Sequence, residues 1–145
     1  MQAVSDGPGW MLRIDEGADL FEALRTFATT HQVRAASIVE GIGMLQTAEL
    51  GYWNGREYDP HAISVPHELV AMHGSIAEAD GAPSLHLHVA LGGPDHRIVG
   101  GHLLRARVGV LVEAYVRTFP GRVFGRPMDE SIGLRKLDLE PGPTR

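Results

Sequence analysis

Three histidines have the type and spacing of a metal site. His86 and His88 lie in Ser84-Leu-His-Leu-His-Val-Ala-Leu91, where apolar and polar residues alternate as in a half-buried strand. The alternation puts both imidazoles on one face of that strand, with their Cα atoms about 6–7 Å apart. This spacing suits two ligands that converge on one ion.

A third histidine, His102, joins them if residues 84–91 and 97–104 form a hairpin. A turn centred on Pro94 would place His86 opposite His102, with the two Cβ atoms about 4.5–5.5 Å apart. The register is an assumption, and a slip of one residue would turn His102 to the other face. The alternative is that all three are ordinary surface histidines without a ligand role.

Three histidines leave one position of a tetrahedral ion open, as in catalytic zinc sites. Zinc is therefore the first choice of cofactor, although imidazole also suits nickel, copper and iron. The chain has no cysteine, which excludes thiolate metal sites, thiol catalysis and disulfides. Its eight histidines can still supply imidazole nitrogens as metal ligands.

Glu113 is a candidate catalytic residue, because it interrupts the apolar run from Val108 to Val116. An unpaired carboxylate in such a run would be costly to bury. It could orient a ligand histidine or act as general base for a metal-bound water. A salt bridge with Arg105 or Arg107 is an equally good interpretation, and both stay open.

The elements that must position these residues are one helix and a run of strands. Five apolar residues have the spacing of one helix face, and Asp15 or Asp19 could cap that helix: Leu20, Phe21, Leu24, Phe27 and Ala28. A first strand, Trp10–Ile14, precedes it. Alternation then predicts strands over residues 34–40, 44–53, 67–76, 84–91, 97–104, 107–118 and 132–139. Short connections favour antiparallel pairing, so the predicted class is α+β with a mainly antiparallel sheet.

Length and composition predict one globular domain. The chain has 145 residues, of which 43% are hydrophobic and 21% charged. We expect the domain to span residues 10–139, with an N-terminal extension over 1–9 and a frayed tail over 140–145. No stretch approaches the roughly 20 apolar residues of a membrane span, and Met1 to Pro8 does not resemble a signal peptide. These features predict a cytoplasmic protein with no membrane partner.

The charge argues against a general nucleic-acid binder, which is usually basic, because the net charge is −5. Residues 97–136 are an exception, with eight basic and three acidic residues and a local net charge of +5. They could form an anion-binding surface. The alternative, which we favour, is that these side chains lie on solvated strand faces or at subunit contacts.

Several segments together resemble the plants-and-prokaryotes conserved (PPC, also called PCC) domain. They are Ile42–Leu50, Glu68–Gly74, Asp80-Gly81, His86–Val89 and Gly100–Leu103, with the strand that carries Glu113 and the segment Arg126–Leu134. The resemblance covers residues 10–139. It implies an α+β fold similar to that of acetolactate decarboxylase, a zinc enzyme, and it implies a homotrimer. It also implies a metal site whose three histidines match His86, His88 and His102.

Plant members of that family carry an AT-hook and bind DNA, and many bacterial members share the DNA-binding name. An AT-hook needs Arg-Gly-Arg-Pro, whose arginines enter the minor groove. Here Phe124-Gly-Arg-Pro127 has Phe in the first position and lies inside the domain. We therefore expect a metal-binding PPC protein with a small-molecule ligand at the metal. The alternatives are a DNA-associated regulator, a metal-dependent lyase or hydrolase, or a trimer in which the metal is structural.

Overall fold

A computed structural model describes residues 1–140 of the protein. One helix accompanies a seven-stranded sheet and a separate two-stranded ribbon, which confirms the predicted α+β class with a mainly antiparallel sheet. The elements are β1 (Gln2–Asp6), β2 (Gly9–Asp15), α1 (Leu20–Thr30), β3 (Ala36–Trp53), β4 (Tyr58–Ile63), β5 (His67–Ala79), β6 (Ala82–Gly92), β7 (Ile98–Thr118), β8 (Met128–Asp129) and β9 (Leu134–Arg135). Only Glu140 of the predicted frayed tail lies within the described residues.

Two long strands, β3 and β7, organise the sheet. They pair with each other over most of their length, from Ala36 opposite Thr118 to Gly51 opposite His102. The order of the sheet is β1-β2-β7-β6-β5-β3-β4, and the additional pairing of β7 with β3 closes β7, β6, β5 and β3 into a ring. Every pairing in this sheet is antiparallel. Closure removes free edges from the strands that carry the histidines.

The helix α1 covers the apolar side of the sheet, where it contacts β6 and β7. Asp19 is its N-cap, because its carboxylate accepts a hydrogen bond of 3.0 Å from the backbone N–H of Glu22. Leu20, Leu24 and Phe27 are fully buried, as their spacing predicted. They pack with the inward-facing side chains of the strands into one hydrophobic core.

The predicted strands differ from the observed ones where the chain bends without breaking. Residues 34–40 and 44–53 form the single strand β3, and residues 97–104 and 107–118 form the single strand β7. Register shifts in the β3–β7 pairing allow these bends. In residues 132–139, predicted as one strand, Leu134–Arg135 forms the short strand β9 and Asp138 forms an isolated antiparallel bridge with Gly125. Residues 1–9, predicted as an extension, contribute β1 to the edge of the sheet.

Three neighbouring strands, β5, β3 and β7, carry exposed apolar side chains on the outer surface of the ring. Ile42 is 54% exposed, Val70 52% and Val110 62%. Leu69 pairs with Gly43 in antiparallel register, so Ile42 and Val70 come opposite each other across β3 and β5. We call Ile42, Val70 and Val110 the outer apolar patch. In the described residues, 1–140, no helix is long and apolar enough to cross a membrane.

Candidate metal centre

The strand β6 presents His86 and His88 on the face opposite the core. Leu87 and Leu91 are fully buried and Val89 nearly so, while His86 is partly exposed and His88 exposed. The buried leucines and valine determine which way the strand faces. If the histidines turned inward, these three apolar side chains would be exposed to solvent. Apolar burial on one side thus holds the two imidazoles side by side on the other.

The register that brings in His102 differs from the predicted one. His88, and not His86, pairs with His102. The connection between β6 and β7 is a five-residue loop centred on Asp95, not on Pro94, and backbone hydrogen bonds from Gly93 to Arg97 and from His96 to Gly93 close it. Because this moves the pairing by two residues, every side chain keeps its face and His102 stays beside both histidines.

The three imidazoles form one cluster. His86, His88 and His102 each offer a ligand atom, and these atoms all lie within 4.8 Å of one another. Their ring centroids are 5.0–5.3 Å apart. The Nδ1 atom of His102 is buried and has no hydrogen-bond partner among residues 1–140. A buried ring nitrogen without a partner is a costly feature that coordination to a metal would remove.

Tyr58 of β4 stacks on His102 of β7 across the intervening strand β3. Gly51 of β3 pairs with His102, and the ring of Tyr58 lies over Gly51, where a Cβ atom would approach Tyr58 Cδ1 to 2.8 Å. The missing side chain lets the tyrosine ring reach His102 and stack on it, with centroids 4.6 Å apart and planes at 20°. Neither Gly51 nor Tyr58 was predicted to belong to the site.

Arg126 approaches from the other side of β6. The segment that contains it follows the end of β5, where the N–H of Glu78 donates to the carbonyl of Phe124 at 2.8 Å. The Nη2 atom of Arg126 donates to Ser75 Oγ at 2.7 Å, and Ser75 pairs with His86. The guanidinium therefore lies next to the histidine cluster, a contact that joins residues far apart in sequence.

The surroundings lower the basicity of two of the histidines. The pKa of His102 is lowered to about 4, first by burial and then by the positive charges of His86, His88 and Arg126. The pKa of His86 is also lowered, by burial, by Arg126 and by His88. Both rings are therefore neutral at physiological pH, which is the form that binds a metal.

Lowered histidine pKa values make the metal-free fold sensitive to acid. Below pH 6.5 the unfolded chain protonates His102 while the folded chain does not until about pH 4. Stability is therefore lost as the pH falls through this window. We expect the free energy of unfolding of EDTA-treated protein to fall by about 1 kcal/mol from this residue between pH 7 and pH 5, after allowing for its partial exposure.

Thermal unfolding of wild type and His102→Asn, followed at several pH values in EDTA, measures this contribution. The variant should lose less stability between pH 7 and pH 5 than wild type does. An identical pH dependence in the two proteins would show that His102 titrates normally in the folded chain.

The structure does not bring Glu113, the candidate catalytic residue, into the histidine cluster. Glu113 is eleven residues along β7 from His102, about 36 Å of extended strand. It pairs with Arg13 on β2 and Ile42 on β3, and among residues 1–140 it forms no ion pair with Arg105 or Arg107. Neither role predicted for Glu113 is therefore observed within the chain.

His73 pairs with His88 but is not one of the three clustered histidines. Its Nδ1 atom donates to the carbonyl of Val39 at 2.7 Å. This hydrogen bond ties β5 to β3 on the side of β6 away from His102.

A family model described as the Plants and Prokaryotes Conserved (PCC) domain matches residues 1–120. A structure of a metal-containing protein from Archaeoglobus fulgidus has a TM-score of 0.82 and 33% identity, and the match covers 91% of this chain and 94% of that one. A protein of Ralstonia eutropha JMP134, named as a candidate DNA-binding protein, has a TM-score of 0.87 and 27% identity, over 95% and 96% of the two chains.

A curated relative is much longer than this chain. Bifunctional protein GlmU of Synechococcus sp. (strain JA-3-3Ab) is 30% identical over 145 residues, a match that covers 92% of this chain and 22% of the relative. The chain thus corresponds to about a fifth of that protein.

Proposed function

Because the chain belongs to the Plants and Prokaryotes Conserved (PCC) domain family, we propose that it is a metal-binding protein. Its site holds one divalent ion at His86, His88 and His102, with zinc as the preferred metal. The observation that carries this proposal is the convergence of three imidazoles, whose ligand atoms lie within 4.8 Å of one another. The metal-containing relative from Archaeoglobus fulgidus, at 33% identity, supports it.

The residues present fit a zinc ion. Zinc–nitrogen bonds of about 2.0–2.1 Å in a tetrahedron place ligand nitrogens about 3.3 Å apart. Small rotations of the three rings reach that spacing from the one observed. The partnerless Nδ1 of His102 and the lowered pKa of His86 and His102 both favour coordination. Among residues 1–140 no carboxylate belongs to the group, so a bound ion would keep its full positive charge.

His86, His88 and His102 would leave a bound metal with an open coordination position, and the metal would supply Lewis-acid chemistry toward an oxygen of a bound ligand. The chain's own residues add a stacked tyrosine and a buried arginine next to that position. We propose that a small molecule binds there, and a lyase or hydrolase would use the same polarisation. Glu113 has no part in this proposal, because β7 carries it away from His102 within the chain.

We propose that the protein assembles as a homotrimer, as the family resemblance implies. The outer apolar patch supports this, because monomeric proteins rarely leave clustered apolar side chains of this kind on a sheet surface. The patch lies on β5, β3 and β7, the strands that also build the ring.

Metal content tests the proposed site directly. Protein purified without a histidine tag should contain about one metal ion per chain by elemental analysis. The double variant His86→Ala/His88→Ala should fall to the background level, because one remaining imidazole cannot hold the ion. Zinc should be the metal found in the protein as purified.

The matched control is His61→Ala, which removes an exposed histidine of β4 outside the cluster. It should keep the wild-type metal content. A double variant that keeps its metal, or a wild type that binds none when supplied with zinc, would refute the site.

A DNA-binding function is less well supported. Four of the eight basic side chains of residues 97–136 are either paired within the chain or buried. Arg97 pairs with Asp95, Arg135 with Asp80, and Lys136 with Asp129, while Arg126 is buried.

A further inference from the structure

Arg126 carries a buried positive charge that forms no ion pair with any of residues 1–140. Its side chain is only 6% exposed. Nη2 donates to Ser75 Oγ, but the buried Nε has no hydrogen-bond partner among residues 1–140. A buried charge that is neither paired nor fully hydrogen-bonded is strongly unfavourable, so an anion is needed beside it.

A cavity of about 260 Å³ lies next to this charge. Arg126, His86 and His102 all line it, and among the described residues no carboxylate does. Arg135 adds a second guanidinium, held in place by hydrogen bonds to the carbonyl of Arg126 and to Asp80. A divalent ion at the histidines would increase the positive charge of this cavity further.

The rest of the lining, apart from Ser84, is mainly apolar and favours an organic ligand. Leu85, Leu134 and the ring of Tyr58 face the same cavity. They could cover a short carbon skeleton, whereas an inorganic oxyanion would gain nothing from them. The volume is just below the ~300 Å³ lower end of ordinary ligand pockets, so the cavity suits a small molecule.

We infer that this cavity binds a small organic carboxylate, with one oxygen at the open position of the metal and the carboxylate charge neutralised by Arg126. This inference rests on the proposed metal site. Because the anion separates two positive charges, metal and carboxylate each tighten the binding of the other.

The test measures zinc affinity by competition with a chromophoric chelator, in free-zinc buffers, with a small carboxylate as probe. Propionate at millimolar concentration should tighten zinc binding to wild type by about tenfold. Propionamide, which has the same skeleton without the charge, should leave the affinity unchanged. Sulfate should have a smaller effect than propionate.

Arg126→Gln separates this role from a purely structural one. Without any carboxylate, the variant should bind zinc more tightly than wild type, because a neighbouring positive charge is gone. Propionate should then change its zinc affinity less than twofold. Arg122→Gln, which removes an exposed arginine four residues earlier, is the matched control and should behave as wild type.

The measurement on wild type needs no variant, so the inference stays testable even if Arg126→Gln does not fold. Zinc binding that is insensitive to propionate overturns the inference and leaves the metal site standing. Equal coupling in wild type and Arg126→Gln also overturns it, as does stronger coupling with sulfate than with propionate. Absence of zinc binding to wild type overturns the inference and the proposed function together.

Discussion

Replacing Gly74 by alanine is expected to destabilise the protein by on the order of 3 kcal/mol and to weaken the proposed metal binding. Gly74 lies on β5 opposite Leu87. A Cβ atom there would come within 2.0 Å of the carbonyl oxygen of His86 and 2.9 Å of the Leu87 side chain. The carbonyl belongs to the backbone, so the two strands must move apart. That movement shifts the peptide that carries His86.

Thermal unfolding with and without zinc measures both parts of this prediction. For a chain of this length we expect the melting temperature to fall by roughly 6–12 °C. Gly93→Ala is the control, because the nearest atoms to its Cβ are ends of the His67 and Asp95 side chains at 3.1 and 3.2 Å, which can rotate away. If Gly74→Ala has the same melting temperature as wild type, β5 and β6 are not as close as described.

A single charge in the outer apolar patch should convert the proposed trimer into monomers. Val110 is 62% exposed, and in an assembly that buries it an aspartate would be desolvated without a partner. Wild type should have three times the 15.7 kDa mass of one chain in light scattering coupled to gel filtration. Val110→Asp should elute with the mass of one chain.

The fold of the subunit should survive this change, because Val110 does not belong to the hydrophobic core. Val4→Asp places the same charge on an exposed valine of the edge strand β1 and should leave the mass unchanged. A wild type that is monomeric at micromolar concentration would contradict the assembly. So would a Val110→Asp protein that remains trimeric.

The helix and the fold class could be predicted because local pattern determines them. The apolar spacing from Leu20 to Ala28 identifies one buried helix face, and Asp19 is a good N-cap. The strands β1 and β4 could not be found in this way. Both are mostly exposed at the edges of the sheet, so neither shows clear alternation, and Pro60 within β4 is tolerated only because the strand is an edge.

The register of the histidine strands depended on one loop. A turn centred on Pro94 pairs His86 with His102, but the observed loop is longer and centred on Asp95, with His96 at φ +62°. A residue other than glycine at positive φ is uncommon, and no local signal marks it in advance. The face of His102 was nevertheless correct, because the error was two residues and strands repeat every two.

The residues around the histidines are those that sequence could not assign. Gly51 of β3 lies between Tyr58 and His102. Because Gly51 has no side chain, the Tyr58 ring can pass over it and stack on His102. Arg126 reaches Ser75 because the chain after β7 returns along the end of β5. Both contacts follow from the closed sheet, and neither has a spacing that a single sequence reveals.

Closure of the ring also sets the order in which the protein can be completed during synthesis. Ala36 at the start of β3 pairs with Thr118 at the end of β7, so the ring cannot close until synthesis has passed Thr118 and β7 has left the ribosome. The hairpin of β6 and β7 that carries the three histidines needs only contacts close in sequence and can form earlier. In a nascent chain the three histidines are therefore exposed before the ring of strands has closed. Free metal ions in the cell would then encounter the three histidines in a partly folded chain. This exposure would last for several seconds of translation.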